Sequence, residues 1–314
     1  MGMRPIESVK GELLACTFCA FCRRSCPVYR ATLWEGESPR GRVAQGYGLL
    51  TDELEPTDEF YDSILNCSLC GLCEDACPPK IRVVDVVLAA RRHLAGAGAK
   101  PPERTAQLIE ASLEEKILIP RSEAIYLPGR EGDEALALLR ALGVQVEPAS
   151  VPPLAPLMIA GRPEFEDRVA ELFKALKAAG ARRVITPDPD ELWALRGRLE
   201  DLEVLHASQV LPEDGVTAAV DGEVAYLPSC RLRGLGVLEA NDIVRSLFDV
   251  KKELECAGSE VGWLRSDVLS RIVRERIEAA DGLLIVCASA EHAKSLKQAG
   301  AKAMSLWEAV RPIS

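Results

Sequence analysis

The chain has 314 residues, 48% hydrophobic and 27% charged, which is ordinary globular composition with length for two or three domains and excludes a disordered or fibrous protein. A formal net charge of −10 removes the electrostatic case for nucleic-acid binding, because phosphate recognition draws on clustered lysine and arginine. Apolar runs such as Leu157 to Gly161 and Gly282 to Ala288 are too short to cross a bilayer, and Met1 to Lys10 lacks an apolar signal core, so a soluble, cytoplasmic protein without a transmembrane segment is expected.

Eight of the eleven cysteines fall between residues 16 and 77. In a chain with no export signal they are not assigned to structural disulfides by default, and metal ligation is the first alternative. Cys16, Cys19, Cys22 and Cys26 followed by Pro27 spell C-x2-C-x2-C-x3-C-P, and Cys67, Cys70, Cys73 and Cys77 followed by Pro78 spell it again. Three thiolates at steps of three can wrap one face of a four-iron cube, while the fourth points to a neighbouring cluster. The spacing therefore predicts two 4Fe-4S clusters with crossed ligands, Cys16, Cys19, Cys22 and Cys77 on one and Cys67, Cys70, Cys73 and Cys26 on the other. Each proline removes a backbone donor and turns the chain away from its cluster. Arg23, Arg24, Arg40, Arg42, Lys80 and Arg82 are near enough in sequence to offset the thiolate charge, or else they form a solvated surface. Zinc is the rival metal, but it takes four ligands from two C-x2-C pairs and leaves the third and trailing cysteines of each run without a purpose.

Around these runs, apolar residues recur at helical spacing in Phe60-Ile64-Leu65 and in Val83-Val84-Val86-Val87-Leu88, so the first domain, 1–100, reads as helical. The run Gly96 to Pro102 marks its boundary, and a helix from about Glu103 to Lys116 leads on. Beyond it, β-prone runs alternate with amphipathic helices: Ala124 to Leu127, Glu134 to Leu142, Val144 to Glu147, Phe165 to Ala179 and Arg183 to Thr186. This alternation predicts an α/β architecture. The segment Ala124-Ile125-Tyr126-Leu127-Pro128 reappears 100 residues later as Val224-Ala225-Tyr226-Leu227-Pro228. The same offset aligns Val184-Ile185-Thr186-Pro187 with Leu284-Ile285-Val286-Cys287, so residues 118–215 and 222–314 read as two copies of one repeat.

Cys230, Cys256 and Cys287 each follow a predicted strand of the second repeat, and ligands gather at strand ends of open α/β sheets. They make a candidate third site for a cluster or zinc, with His292 as an extra ligand. The competing reading is that they are small buried hydrophobes left by a lost site. His93 and His206 have no partner at metal spacing and are expected to be structural or exposed. No G-x-S-x-G turn, dinucleotide-binding loop or P-loop follows a predicted strand, so neither hydrolase chemistry nor a bound flavin or nicotinamide is expected.

The doubled cysteine motif, the insert carrying Trp34-Glu35 and Ser38-Pro39-Arg40-Gly41-Arg42, and the α/β repeats together resemble iron-sulfur subunits of the heterodisulfide reductase and glycolate oxidase family. The resemblance implies an α+β protein, in which a helical, ferredoxin-like two-cluster domain precedes a duplicated α/β domain of the cysteine-rich CCG type. In that family each repeat carries a cysteine after its first strand, a Cys-Cys-Gly segment and a C-x-x-C segment. Here the second repeat keeps Cys230, Cys256-Ala257-Gly258 and Cys287, while the first has Arg130, Pro156 and Pro187 at the offset positions. The implied function is a non-catalytic electron-transfer subunit, relaying electrons between a flavoprotein that oxidises a 2-hydroxy acid such as glycolate or lactate and a downstream acceptor. That acceptor would be a membrane quinone or another carrier, reached through a partner subunit, with the protein peripheral at the inner membrane face in the first case. The alternatives are a heterodisulfide reductase-like subunit acting on disulfides, which the missing cysteines disfavour, and a redox docking module.

Overall fold

The computed structural model describes residues 6–114, 116–212, 215–258 and 263–313. The start of the segment tested for a signal core, Met1 to Pro5, and Glu115 near the predicted end of the linking helix lie outside them. The chain forms two compact units: Met1–Leu113 with Pro156–Asp167 and Val261–Ile272, and Glu114–Ala155 with Arg168–Glu260 and Val273–Ser314. No helix among the described residues is long and apolar enough to cross a membrane.

The first unit is helical. In chain order it contains α1 (Lys10–Ala15), α2 (Cys22–Ser25), α3 (Pro27–Thr32), α4 (Pro39–Leu50), α5 (Asp58–Leu65), α6 (Leu72–Asp75), α7 (Val83–Gly96) and α8 (Glu103–Glu114). The starts of α4 and α5 are written in the sequence. Ser38 accepts from the Gly41 amide at 3.0 Å with Pro39 at the first helical position, and Thr57 accepts from the Phe60 amide at 3.2 Å, each satisfying a donor that has no partner within its helix. The core is the apolar stripe of α7, Val83, Val86, Val87, Ala90 and Leu94, together with Tyr61, Ile64 and Leu65 of α5. Two buried polar groups of this core find their partners far along the chain. Tyr61 donates its hydroxyl to the Ala160 carbonyl, and Arg91 Nη1 donates to Ile159 O at 2.9 Å. The returning segment 156–167, which in sequence reads as part of the α/β repeats, supplies these acceptors.

The second unit holds β1 (Ala124–Tyr126), α9 (Glu134–Ala141), β2 (Glu147–Pro148), β3 (Arg183–Thr186), α12 (Pro189–Leu195) and β4 (Glu203–His206); the chain between β2 and β3 carries α10 (Ala155–Ala160) and α11 (Glu164–Ala178). Then follow β5 (Val216–Ala218), β6 (Glu223–Leu227), α13 (Cys230–Gly234), α14 (Glu239–Leu247), β7 (Asp249–Glu253), α15 (Ser266–Ala280), whose residues up to Ile272 belong to the first unit, β8 (Leu284–Cys287), α16 (Ala290–Gln298), β9 (Ala303–Ser305), α17 (Leu306–Ala309) and β10 (Val310–Pro312). Two four-stranded sheets result, ordered β2-β1-β3-β4 and β7-β6-β8-β9, and every pair in both is parallel. Parallel neighbours need helical crossovers, which the alternating pattern supplies. β5 and β10 form a separate antiparallel ribbon.

Register corrects one detail of the repeat alignment. Ala124 pairs with Arg183, whereas Val224 pairs with Leu284, so the second sheet gains one residue between its first and third strands. Cys287 is therefore the counterpart of Thr186, and a constant offset of 100 misplaces it opposite Pro187. The last strands agree with this shift. Thr186 pairs with His206 and Cys287 pairs with Ser305, and both partners open a helical turn with a capping box.

His206 is fully buried, and its role is fixed by hydrogen bonds. Nδ1 accepts from the Ser208 amide at 3.3 Å, so Nε2 carries the proton and donates to the Pro187 carbonyl at 3.0 Å. Burial pulls its pKa down to about 4, against the opposing pull of that carbonyl. A histidine whose folded pKa lies below its unfolded value binds protons preferentially in the unfolded chain, so stability is lost as pH falls from above 6.5 towards 4. Relative to His206→Asn, the wild-type protein is expected to lose about 2 kcal/mol of unfolding free energy between pH 7 and pH 5. Denaturant melts of both proteins at the two pH values check this, and parallel profiles would refute it.

Candidate iron-sulfur site

The two cysteine runs adopt one backbone conformation twice. Phe18 and Leu69 have φ of 55° and 54°, and Ala20 and Gly71 have φ of 67° and 73°. Left-handed turns at the second and fourth residues after the leading cysteine wrap each run around a centre. Non-glycine residues adopt this conformation at a cost of about 1–2 kcal/mol, so the surrounding structure must hold it. Each run ends in a one-turn helix carrying its third cysteine, α2 with Cys22 and α6 with Cys73, and these two helices pack together.

That packing distributes the sulfurs. One cavity is lined by Cys26, Cys67, Cys70 and Cys73 with Leu69, Val83 and Arg42. The other is lined by Cys16, Cys19, Cys22 and Cys77 with Ile81 and Arg40. The trailing cysteine of each run thus lines the cavity of the other. The two prolines differ in their local work. Pro27 opens α3, whose first turn is capped by the Tyr29 amide donating to Cys26 Sγ at 3.4 Å, whereas Pro78 begins a turn that leads to Lys80 at φ 56°.

Burial dominates the electrostatics of the thiols. It pushes the Cys26 thiol up to about 12, with Cys67 and Cys70 adding in the same direction and Arg42 opposing, and it raises Cys73 and Cys22 as well. Without a cation these groups hold their protons, so binding iron must displace them. The cations that line the two cavities come from a single helical turn. Arg40 and Arg42 of α4 diverge, Arg40 to the cavity of Cys16 and Arg42 to that of Cys67. Gly41 between them lies so close to the Glu35 carbonyl that a Cβ there would sit 2.0 Å from its oxygen.

Arg42 is 1% exposed; its guanidinium donates to the Glu37 and Asn66 carbonyls. Burial disfavours its charge, but Cys67, Cys26 and Glu37 outweigh that and hold it protonated. Asn66 also donates to the Glu37 carboxylate at 2.7 Å, which receives Arg265 Nη1 at 3.0 Å. Arg23, Arg82 and Lys80 are tied at the surface: Arg23 to Glu35 at 3.4 Å, Arg82 to Glu12 at 3.0 Å, and Lys80 to the Asp75 carbonyl at 2.8 Å.

One residue escaped sequence reasoning. Arg91 reads as one more polar position on α7, yet it is fully buried and donates to the carbonyls of Ile64, Leu65 and Cys67 at 2.9–3.2 Å. It satisfies the open end of α5 and fixes the leading residue of the second cysteine run. Its only signal is a charged residue beside an otherwise apolar stripe, Val86-Val87-Ala90-Leu94.

In the second unit, Cys230 and Cys256 meet, with their sulfurs 3.7 Å apart, and Cys256 Sγ also accepts from the Gly258 amide at 3.3 Å. Cys287 ends β8, and its thiol faces the Ile285 carbonyl at 4.0 Å. His292 is buried on α16, and His93 is half-buried in the last turn of α7. Among the described residues no three His, Cys, Asp or Glu side chains converge as a single-ion site requires. Just beyond the ends of β1 and β3, an ion network gathers. The Arg130 amide donates to Asp188 at 2.9 Å, its guanidinium reaches Asp190 at 2.8 Å, and Arg231 donates to Asp190 at 2.8 Å while stacking 3.9 Å over Trp193.

Comparison with known proteins agrees with the first cavity pair. Residues 12–81 match the 4Fe-4S dicluster domain. Over 83 residues, 26% of this chain and 19% of the relative, it is 36% identical to the probable glycolate oxidase iron-sulfur subunit of Bacillus subtilis strain 168. It is 30% identical over 105 residues to one of the subunits of the dihydromethanophenazine:CoB--CoM heterodisulfide reductase of Methanosarcina mazei, covering 29% of this chain and 26% of that protein. Lactate utilization protein B of Bacillus thuringiensis is 33% identical over 93 residues, 29% of this chain and 19% of its own length. The matched stretch therefore spans about a quarter of these relatives or less. No solved structure matches the chain significantly.

These likenesses and the two thiol-lined cavities agree in marking residues 12–81 as the candidate iron-sulfur region. Arg91→Met is expected to cost roughly 3–5 kcal/mol, because it leaves several buried carbonyls unpaired, whereas Arg40→Gln on the half-exposed rim costs less than about 1 kcal/mol. Anaerobic chemical denaturation of the two variants checks the contrast, and equal losses would contradict it.

Proposed function

We propose that the chain is the electron-relay subunit of a larger oxidoreductase, with one 4Fe-4S cluster held by Cys16, Cys19, Cys22 and Cys77 and the other by Cys67, Cys70, Cys73 and Cys26. The observation that carries this reading is the lining of two adjoining cavities by four cysteines each, with the trailing cysteines exchanged. The donor set suits the group: four sulfurs per cavity, apolar walls and one arginine per cavity. Zinc fits less well, since among the described residues no three ligands converge on a single-ion centre. When bound, the clusters supply one-electron carriers.

The protein's own residues do the rest. Leu69, Val83 and Val28 keep water from the more buried set, while Arg42 offsets thiolate charge there and Arg40 does so at the more exposed set. The relatives' names, glycolate oxidase subunit and lactate utilization protein, favour a flavoprotein acting on a 2-hydroxy acid as the donor, with a downstream, quinone-linked acceptor reached through a further subunit. A heterodisulfide reductase-like role is second, and the contact of Cys230 with Cys256 is what favours it.

Anaerobically purified protein is expected to contain eight irons and eight acid-labile sulfides per chain, as two cubane clusters require. Twelve irons would place a third cluster at Cys230, Cys256 and Cys287, and a zinc assay reports zinc there. Cys77→Ser and Cys26→Ser should each disturb one cluster, of opposite identity, in electron paramagnetic resonance spectra of the reduced protein. Protein that binds no iron, or variants that both disturb the same cluster, would defeat the proposal.

A further inference from the structure

The approach to the first thiol set is unusual for so acidic a chain. Of the large hydrophobic side chains exposed among the described residues, Leu14, Phe18, Phe21, Leu33 and Trp34 cluster within 21 residues of sequence, and all five are at least half exposed, with Phe21, Leu33 and Trp34 above 60%. Phe18 and Phe21 flank Cys19, which is itself exposed and lines the cavity with Cys16, Cys22 and Cys77. Glu35 draws Arg23 and Arg40 together, and Arg40 also donates to the Phe18 carbonyl at 2.9 Å, so Trp34 beside Glu35 is held next to the first cysteine run. Phe18 and Leu33 are both in the left-handed conformation at φ 55°.

Charge on this face runs against the rest of the protein. Residues 13–34 contain Arg23, Arg24 and Arg30 and no acidic residue, in a chain of net charge −10. Arg23, Arg24, Tyr29 and Arg30 line an open groove that shares Ala20 with the first thiol cavity. Arg23 is stacked 4.5 Å over Tyr29, which fixes the guanidinium at the groove wall. Aromatic and arginine side chains beside one another are the composition of a protein contact centre. A cationic rim also shields an approaching anionic surface from the thiolates beneath.

We propose that this face is the docking surface for an acidic one-electron carrier protein, whose apolar contact meets Phe18, Phe21 and Trp34 and whose carboxylates meet Arg23, Arg24 and Arg30. Electrons then enter or leave by the cluster nearest Cys19, the exposed cysteine among the eight. The inference rests on the electron-relay reading. A contact of this kind is small and short-lived, so its affinity is set by charge and falls steeply with salt.

Flavodoxin, an acidic flavin carrier, serves as the probe, and horse cytochrome c, a basic haem carrier, as the opposite-charge control. Binding of oxidised flavodoxin to the purified holoprotein is followed by titration at low and high salt, and electron exchange with reduced flavodoxin by stopped flow. We expect binding at low salt that weakens at least tenfold in high salt, a further tenfold loss in the double variant Arg24→Glu with Arg30→Glu, and a loss of similar size in Phe21→Ser. Cytochrome c should bind more weakly than flavodoxin. Equal affinity for both carriers, no flavodoxin binding, or unchanged binding in the variants overturns the docking surface. Iron content and reduction by dithionite are measured on every variant: loss of iron in the wild type would defeat the electron-relay reading itself, whereas intact iron with unchanged binding defeats the docking surface alone.

Discussion

Sulfur buried where it must carry negative charge is the constraint on which the first unit is built. Burial alone keeps such thiols protonated, as the upward shift of Cys26 shows, so the fold must supply both a metal-sized space and compensating cations. It does this with few elements. Two one-turn helices, α2 and α6, pack together and exchange trailing cysteines, and one turn of α4 sends Arg40 to one cavity and Arg42 to the other. Gly41 permits that turn to press against Glu35, and Ser38 with Pro39 starts it. The segment Ser38 to Arg42 is thus a single device for placing two positive charges.

The second unit instead sets buried charges against one another. Arg130, 100 residues before Cys230, is held there by Asp188 and Asp190. Burial works against the Arg130 charge, but the two aspartates outweigh it. Breaking such a buried network strands its remaining charges.

Much of this was legible in residue order. The spacing of the eight N-terminal cysteines, the helical periodicity of Val83 to Leu94 and the strand-helix alternation after Ala124 all correspond to elements of the structure, because each is a local pattern with a local cause. Three features were not. The role of Arg91 depends on carbonyls from α5, brought near only by tertiary packing. The return of residues 156–167 to the first unit, where Tyr61 and Arg91 bond its carbonyls, is a long-range contact that local pattern does not carry. The one-residue register gain that sets Cys287 opposite Thr186 is invisible to an ungapped offset, since nothing in the sequence near Val184 announces it.

Which sulfurs share a metal centre decides whether the two cavities work as a crossed pair. Diffraction from anaerobically grown crystals at the iron absorption edge locates iron directly. Two compact groups of four irons, one beside Cys19 with Cys77 and the other beside Cys70 with Cys26, are the predicted result. Iron centres in which Cys26 stays with Cys16, Cys19 and Cys22, or single metal ions in place of four-iron groups, would contradict it.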